Sequence, residues 1–266
     1  MDRNTIIAII LCVIVITIGM TFQQSLMSNN QDVVDTTETV DTTDDIIYLN
    51  NPESYEAQGS VTDGNKFTVT TPSLAITFDP KGGTIDSVHD EKNDVNLVIK
   101  EDDDDSSFMM YWGDDKTSAI DDLFAYSIEE KSIAGKSDKI TQVTFTRSYK
   151  ETATGKLFTI EKRYAVPEND EYMIQLAVSI YTEDGSVIPV SLNNAMYTLS
   201  VGSQVGPEFE SLNGNYDYRR VYYKLANKNN RKTVNSGSFT SYNEMDWVGV
   251  VGKYFAYLLI PETKGI

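Results

Sequence analysis

Lys66-Phe67-Thr68-Val69-Thr70-Thr71 and Leu74-Ala75-Ile76-Thr77-Phe78 alternate apolar and polar residues with a period of two. Successive side chains of a strand point to opposite faces, so this pattern builds a sheet with one dry and one wet side. Asp79-Pro80-Lys81-Gly82-Gly83 then supplies a turn, in which proline presets one φ and glycine admits positive φ. Thr84-Ile85-Asp86-Ser87-Val88 resumes as a strand. This antiparallel opening sets the fold class.

Working outward, further strands are predicted at Lys139–Ser148, Lys156–Val166, Tyr172–Tyr181, Val187–Ser191, Tyr197–Val201, Tyr218–Leu225, Thr233–Tyr242, Trp247–Val251 and Tyr254–Ile260. Turn signals separate them at Ala153-Thr154-Gly155, Pro167–Asp170, Glu183-Asp184-Gly185, Asn227–Asn230 and Gly252-Lys253. Sixteen tyrosines and ten phenylalanines agree with a strand-rich chain. Only Lys116–Tyr126 reads as helical. Short strands at this spacing, without helices between them, predict a mainly β domain built as an antiparallel sandwich over residues 66–266.

Ahead of the domain the pattern changes. Residues 23–65 are rich in Asp, Thr, Asn, Gln and Ser, with Asp32, Asp35, Glu38, Asp41, Asp44, Asp45, Glu53 and Glu56 and no lysine or arginine. So polar a stretch buries too little surface to offset its ordering entropy, and it reads as an acidic tether. The apolar Ile46-Ile47-Tyr48-Leu49 is the one place where it reads as able to dock.

Residues 1–22 form a third unit. Thr5–Phe22, TIIAIILCVIVITIGMTF, is an uncharged run of 18 residues. As a helix it covers roughly 27 Å, close to the hydrocarbon thickness of a bilayer. Arg3 and the free amine lie on one side of it and the acidic tether on the other. The positive side stays in the cytoplasm, so the chain reads as anchored with its N-terminus inside. A cleaved signal peptide has a shorter apolar core of about 7–15 residues and a small-x-small site. Gln23-Gln24-Ser25-Leu26-Met27 offers no such site, and Cys12 lies mid-run behind Leu11 rather than at a lipoprotein junction.

The 22 basic and 40 acidic residues leave a net charge of −18, which argues against nucleic acid as a partner, because phosphate binding needs a basic footprint. A single cysteine forbids an internal disulfide. His89 is the only histidine, and beside Asp90 and Glu91 it reads as a surface residue. A nucleophilic triad would have to use it, but no Gly-x-Ser-x-Gly occurs and Cys12 lies in the apolar run, while zinc sites and paired-histidine sugar chemistry need more ligands than one histidine supplies. Glu101-Asp102-Asp103-Asp104-Asp105 lacks the interleaving and the glycine of a calcium loop and reads as a solvated acidic loop. No catalytic residue, metal or cofactor is expected.

The one unusual charge feature is Arg219, Arg220, Lys224, Lys228, Arg231 and Lys232, six bases in fourteen residues with no acid among them. Tyr216, Tyr218, Tyr222 and Tyr223 interleave with them. One reading is a hairpin with a solvated basic face. The other is a contact surface for anionic lipid or an acidic partner.

Several segments, taken in order, point to a family. They are the head Met1–Leu11, Thr71–Ile76 followed by Gly82–Ile85, Phe158–Tyr164 leading into Tyr172–Leu176, Tyr197-Thr198-Leu199 with Gly206-Pro207, and Trp247–Phe255 ending at Ile260-Pro261. This ordered set resembles the bacterial YidC membrane-protein insertases. The resemblance implies a periplasmic domain folded as a twisted β-super-sandwich similar to galactose mutarotases, in a non-enzymatic protein of the inner membrane. It implies nascent inner-membrane proteins and components of the Sec translocon as partners, besides the bilayer around Thr5–Phe22. The family's five insertase helices follow that domain, so a chain ending at Ile266 is expected to carry only the anchor and most of the domain. The rival expectation is a membrane-anchored carbohydrate-binding envelope protein with the same sandwich.

Overall fold

The computed structural model describes residues 55–97, 106–113, 117–132, 139–152, 154–168, 172–184, 197–202, 205–206, 219–226, 228–234 and 244–262. They all fall within one compact unit, Asp45–Ile266. The anchor Thr5–Phe22, the acidic run Glu101–Asp105 and the strand expected at Val187–Ser191 lie outside the described residues. Among those described, every regular element is a strand and every strand pairing is antiparallel.

The opening stretch folds as its alternation requires. Strands β2 (Phe67–Thr70), β3 (Leu74–Asp79), β4 (Thr84–Asp90) and β5 (Val95–Asn96) form a four-stranded meander. Leu74, Ile76 and Phe78 turn inward and are essentially buried, while Ala75, Thr77 and Asp79 are half-buried on the other face. Register slips once, from Thr77 opposite Ser87 to Phe78 opposite Ile85, so Asp86 is a bulge residue. The slip lets both Ile85 and Val88 face the core. It also leaves Asp86 to accept a 2.8 Å hydrogen bond from Lys66 Nζ.

A second sheet runs β1 (Tyr55–Ala57), β8 (Lys139–Glu151), β9 (Leu157–Pro167), β10 (Gln175–Thr182), with β7 (Ala125–Ser132) also on β8. Strands β1 and β7 share one edge of β8, pairing opposite Tyr149–Glu151 and Lys139–Thr146 respectively. The inward rows of β8 and β9, Val143, Phe145 and Tyr149 with Phe158, Ile160, Tyr164 and Val166, are buried against the meander. Phe78 meets Tyr164 edge-on at 5.1 Å, Phe67 stacks on Tyr126 at 4.4 Å, and Phe145 lies edge-on to Tyr164 at 5.9 Å. Two sheets facing each other across an aromatic layer make a sandwich arrangement. A short pair, β6 (Met110–Trp112) with β11 (Tyr197–Leu199), adds Met110 and Trp112 to this core. A further sheet, ordered β13 (Lys232–Val234), β12 (Arg220–Leu225), β14 (Met245–Val251), β15 (Ala256–Leu259), packs Tyr257 and Leu259 against it.

Two expectations are corrected. Lys116–Tyr126 is not a helix: its described part makes isolated bridges through Ala119 and Leu123 and runs into β7 at Ala125. Ile120 and Phe124, four residues apart, both plug the core and so imitate helical spacing. Their N–H groups bond Met110 and Pro80 carbonyls, which a helix could not offer. Tyr55–Ala57, expected within the acidic tether, is instead a strand, because Tyr55 stacks on Trp112 at 4.8 Å and meets Phe158 edge-on. Strand β7 escaped the pattern because nearly all of Ala125–Ser132 is exposed, so its two faces share the same polar character.

Candidate functional site

The basic cluster lies on the sheet β13–β12–β14–β15, and pairing register divides its members. Directly paired residues share a face. Arg220 lies opposite Val251, Tyr222 opposite Gly249 and Lys224 opposite Trp247, while across β15 Gly249 faces Leu258 and Val251 faces Ala256. Those residues line the outer face. The alternate set, Val221, Tyr223, Val248, Val250, Tyr257 and Leu259, is the inner face, where Tyr223 is buried and burial raises the Tyr257 hydroxyl pKa.

Of the six bases, Arg220 and Lys224 therefore belong to the outer face, and Arg231 joins them by placing its guanidinium 5.1 Å above the Tyr222 ring. Lys224 also pairs with Asp246 of β14. Lys232 lies opposite Tyr223 and so on the inner side, although its side chain is solvent-exposed at the strand's end. Arg219 precedes β12 and is half-buried, and burial pulls its pKa below the ordinary guanidinium value. Lys228 is exposed in the turn. Tyr216 and Tyr218 lie outside the described residues.

Neighbours that sequence spacing missed complete the outer face. Trp247 and Leu258, on two other strands, flank Tyr222 and Lys224, and Leu258 is 51% exposed. Gly249 makes room for them. A Cβ there would come within 2.3 Å of the Tyr257 carbonyl and 2.5 Å of Leu258 Cδ2, so the leucine covers the space a side chain would need.

A base of the opposite kind lies in the core. Lys162 is fully buried on β9, and its Nζ donates to the carbonyls of Gly82 at 2.8 Å and Phe108 at 2.6 Å. Next along that face, the Tyr164 hydroxyl donates to the Gly83 carbonyl at 2.8 Å. Together they fasten the Gly82-Gly83 turn, whose φ angles are +71° and +56°, to the large sheet. Burial lowers the Lys162 pKa to about 7. The sequence carried a signal for this residue, since Phe158, Ile160, Lys162, Tyr164 and Val166 are in phase on one apolar face.

His89 is half-buried on β4, with its ring nitrogens 3.2 Å from Asn96 Oδ1 and 3.3 Å from Asp94 Oδ1. Its neighbour Asp90 is buried and accepts from Lys92 N, Asn93 N, Asn93 Nδ2 and Tyr172 Oη. Burial pushes its carboxyl pKa up, but hydrogen bonds from Asn93, Lys92 and Tyr172 outweigh it and hold the group below the usual carboxylate value. That role is a turn clamp between β4 and β5.

A shallow cleft opens where β1 and β7 meet along β8, lined by Gln58, Thr146, Arg147, Ser148, Thr159 and Tyr181. Arg147 Nη2 donates to the Gly59 carbonyl at 3.3 Å, and Ser148 and Thr159 share a 2.9 Å hydrogen bond. The cleft is broad and open to solvent.

Comparison with known proteins gives a consistent result. The family model described as the YidC periplasmic domain matches residues 66–265. A protein of Treponema denticola named membrane protein insertase YidC is 33% identical over 155 residues, which are 56% of this chain and 25% of that protein. The chain thus spans about a quarter of that relative's length. No solved structure matches the chain.

Proposed function

The chain belongs to the YidC family through its periplasmic domain, and on that premise we propose that it serves the insertion and folding of inner-membrane proteins. In this reading residues 66–265 are an extracytoplasmic domain with the family's super-sandwich topology. Thr5–Phe22 is its membrane anchor, with the N-terminus in the cytoplasm, and the protein works alone or beside the Sec translocon. The observation that carries the reading is the family match over 66–265, supported by the antiparallel, aromatic-cored sheets. The domain's part is positional: it holds contact surfaces on a rigid frame and supplies no reacting group, while insertion itself belongs to membrane-embedded elements.

Depleting the protein in its native host tests the activity. Newly made inner-membrane proteins, pulse-labelled and probed with protease from outside, should integrate several-fold less completely, and unchanged integration would overturn the reading. The anchor is tested separately with Ser25→Cys in a Cys12→Ser background. A membrane-impermeant thiol reagent should label position 25 in intact cells, whereas protection there would place the tether on the wrong side.

A further inference from the structure

The outer face of the β12–β15 sheet has the composition of a surface that sits on an anionic bilayer, and we propose that it docks there. Three bases, Arg220, Lys224 and Arg231, surround two amphipathic rings, Tyr222 and Trp247, and the aliphatic side chains of Val251 and Leu258. Ring–cation pairs beside exposed aliphatic groups suit the headgroup boundary, where an aromatic keeps one end dry and its polar tip wet while a base meets phosphate. Leu258 at 51% exposure, followed by Ile260 at 64%, gives the face apolar groups with which to enter that boundary.

Charge makes the docking directional. Residues 219–253 carry seven bases and two acids, a net of +5, in a chain whose total is −18. The rest of the protein is therefore repelled by an anionic surface. Screening limits each charge's reach to about 8 Å at physiological ionic strength, so the face nearest the bilayer decides the outcome rather than the total. This sheet, with its run of bases, is the part that approaches, and it does so by its outer face, because the inner one packs Tyr257 and Leu259 against the core. The bilayer as occupant is favoured over an acidic protein because the bases are mixed with half-buried rings and the exposed Leu258 and Ile260, and a membrane supplies both partners at once.

This inference uses the membrane attachment in the functional reading and is independent of insertase activity. The test uses the full chain in lipid nanodiscs, with Cys12→Ser and a single fluorophore at Leu258→Cys. Discs are made of phosphatidylcholine alone or with about one third phosphatidylglycerol, each with a headgroup-attached quencher. Quenching should be at least twofold greater with phosphatidylglycerol and should fall to the neutral level in 0.5 M salt. The triple variant Arg220→Gln, Lys224→Gln, Arg231→Gln should lose the difference while keeping the wild-type near-ultraviolet dichroism. A fluorophore at Glu129→Cys on β7 should report the same low quenching in both lipids.

Equal quenching at position 258 in both lipids would overturn the proposal without any variant being needed. Shielding of position 258 from an aqueous quencher that persists in pure phosphatidylcholine would instead assign the face to a protein partner or a second copy, and would also overturn it. Retention of the chain in neutral discs reports the anchor alone, so failure of the docking face and failure of the attachment read out separately.

Discussion

Lys162 and Arg231 are both single bases, yet the domain uses them in opposite ways. Lys162 is sealed in the aromatic layer between two sheets and spends its donors on main-chain carbonyls of the Gly82-Gly83 turn and Phe108. Arg231 lies in the open over Tyr222 and can exchange that ring for another partner at little cost. A buried polar group must be matched at every hydrogen bond and becomes structural, whereas a solvated one has little to lose and is available for contact. The same chemistry therefore divides into a buried lock and a solvated, contact-ready base by burial alone.

The lock should be the most sensitive point. Gly83 has φ +56°, and a Cβ there would lie 2.9 Å from Phe145 Cβ. Gly83→Ala should cost about 2–4 kcal/mol in urea unfolding, combining left-handed strain with overpacking. Gly155→Ala is the control, with a similar φ of +74° but only Lys150 Cε nearby at 3.8 Å. It should cost about 1–2 kcal/mol from strain alone. Equal losses at the two glycines would show that the lock is not tightly packed.

Next in size comes Lys162→Met, which keeps the stem but removes the donor from two buried carbonyls and should cost about 1–3 kcal/mol at pH 9. The wild type should also show a pH dependence of its own. Its folded-state pKa of about 7 lies below the ordinary lysine value of 10.5. Between those limits the unfolded chain holds a proton that the folded one has released, so stability should rise with pH across that window. Below pH 7 both states are charged and the contribution is flat at its lowest, so the gap between wild type and Lys162→Met should narrow at pH 6. Parallel pH profiles for the two proteins would remove Lys162 from this role.

The smallest effect belongs to the outer face. Lys224→Gln breaks the pair with Asp246 but should change stability by less than about 1 kcal/mol, because both groups remain partly solvated. A larger loss by thermal melting would mean that this face is part of the folded frame, and the contrast with Lys162 would collapse.

Several elements were legible because their signal is local. Leu74–Asp79 alternates in burial along its whole length, and Leu157–Pro167 does so up to Val166 with Lys162 standing in the inward row. The Asp79–Gly83 turn was readable from proline and glycine, and the two glycines do adopt positive φ. Strand β7 was not readable, because its residues are exposed on both faces and its place comes from pairing with β8. Ile120 and Phe124 misled for a related reason, since four-residue spacing is shared by a helix and by a loop that plugs a core twice.

The candidate face divides along the same line. The six bases formed a visible cluster because they are close in sequence, and spacing gathered them as one. Which of them share a face was decided by the pairing of β12 with β13 and β14, which sends Lys232 to the side opposite Arg220 and Lys224. Trp247 and Leu258 enter only through that pairing, since they lie on strands that the basic run does not include.

Residues near one another carried most of the strands, the phase of inward rows such as Leu74–Phe78, the acidic balance and the family, because each of these signals is local. Tertiary structure alone decided that Lys162 is a lock, that Asp86 is left over at a bulge, and that Arg220, Tyr222, Trp247 and Leu258 form one surface. Those facts depend on which strands are neighbours and in what register. Register is set by the summed burial of two facing sheets, a quantity that no single segment carries.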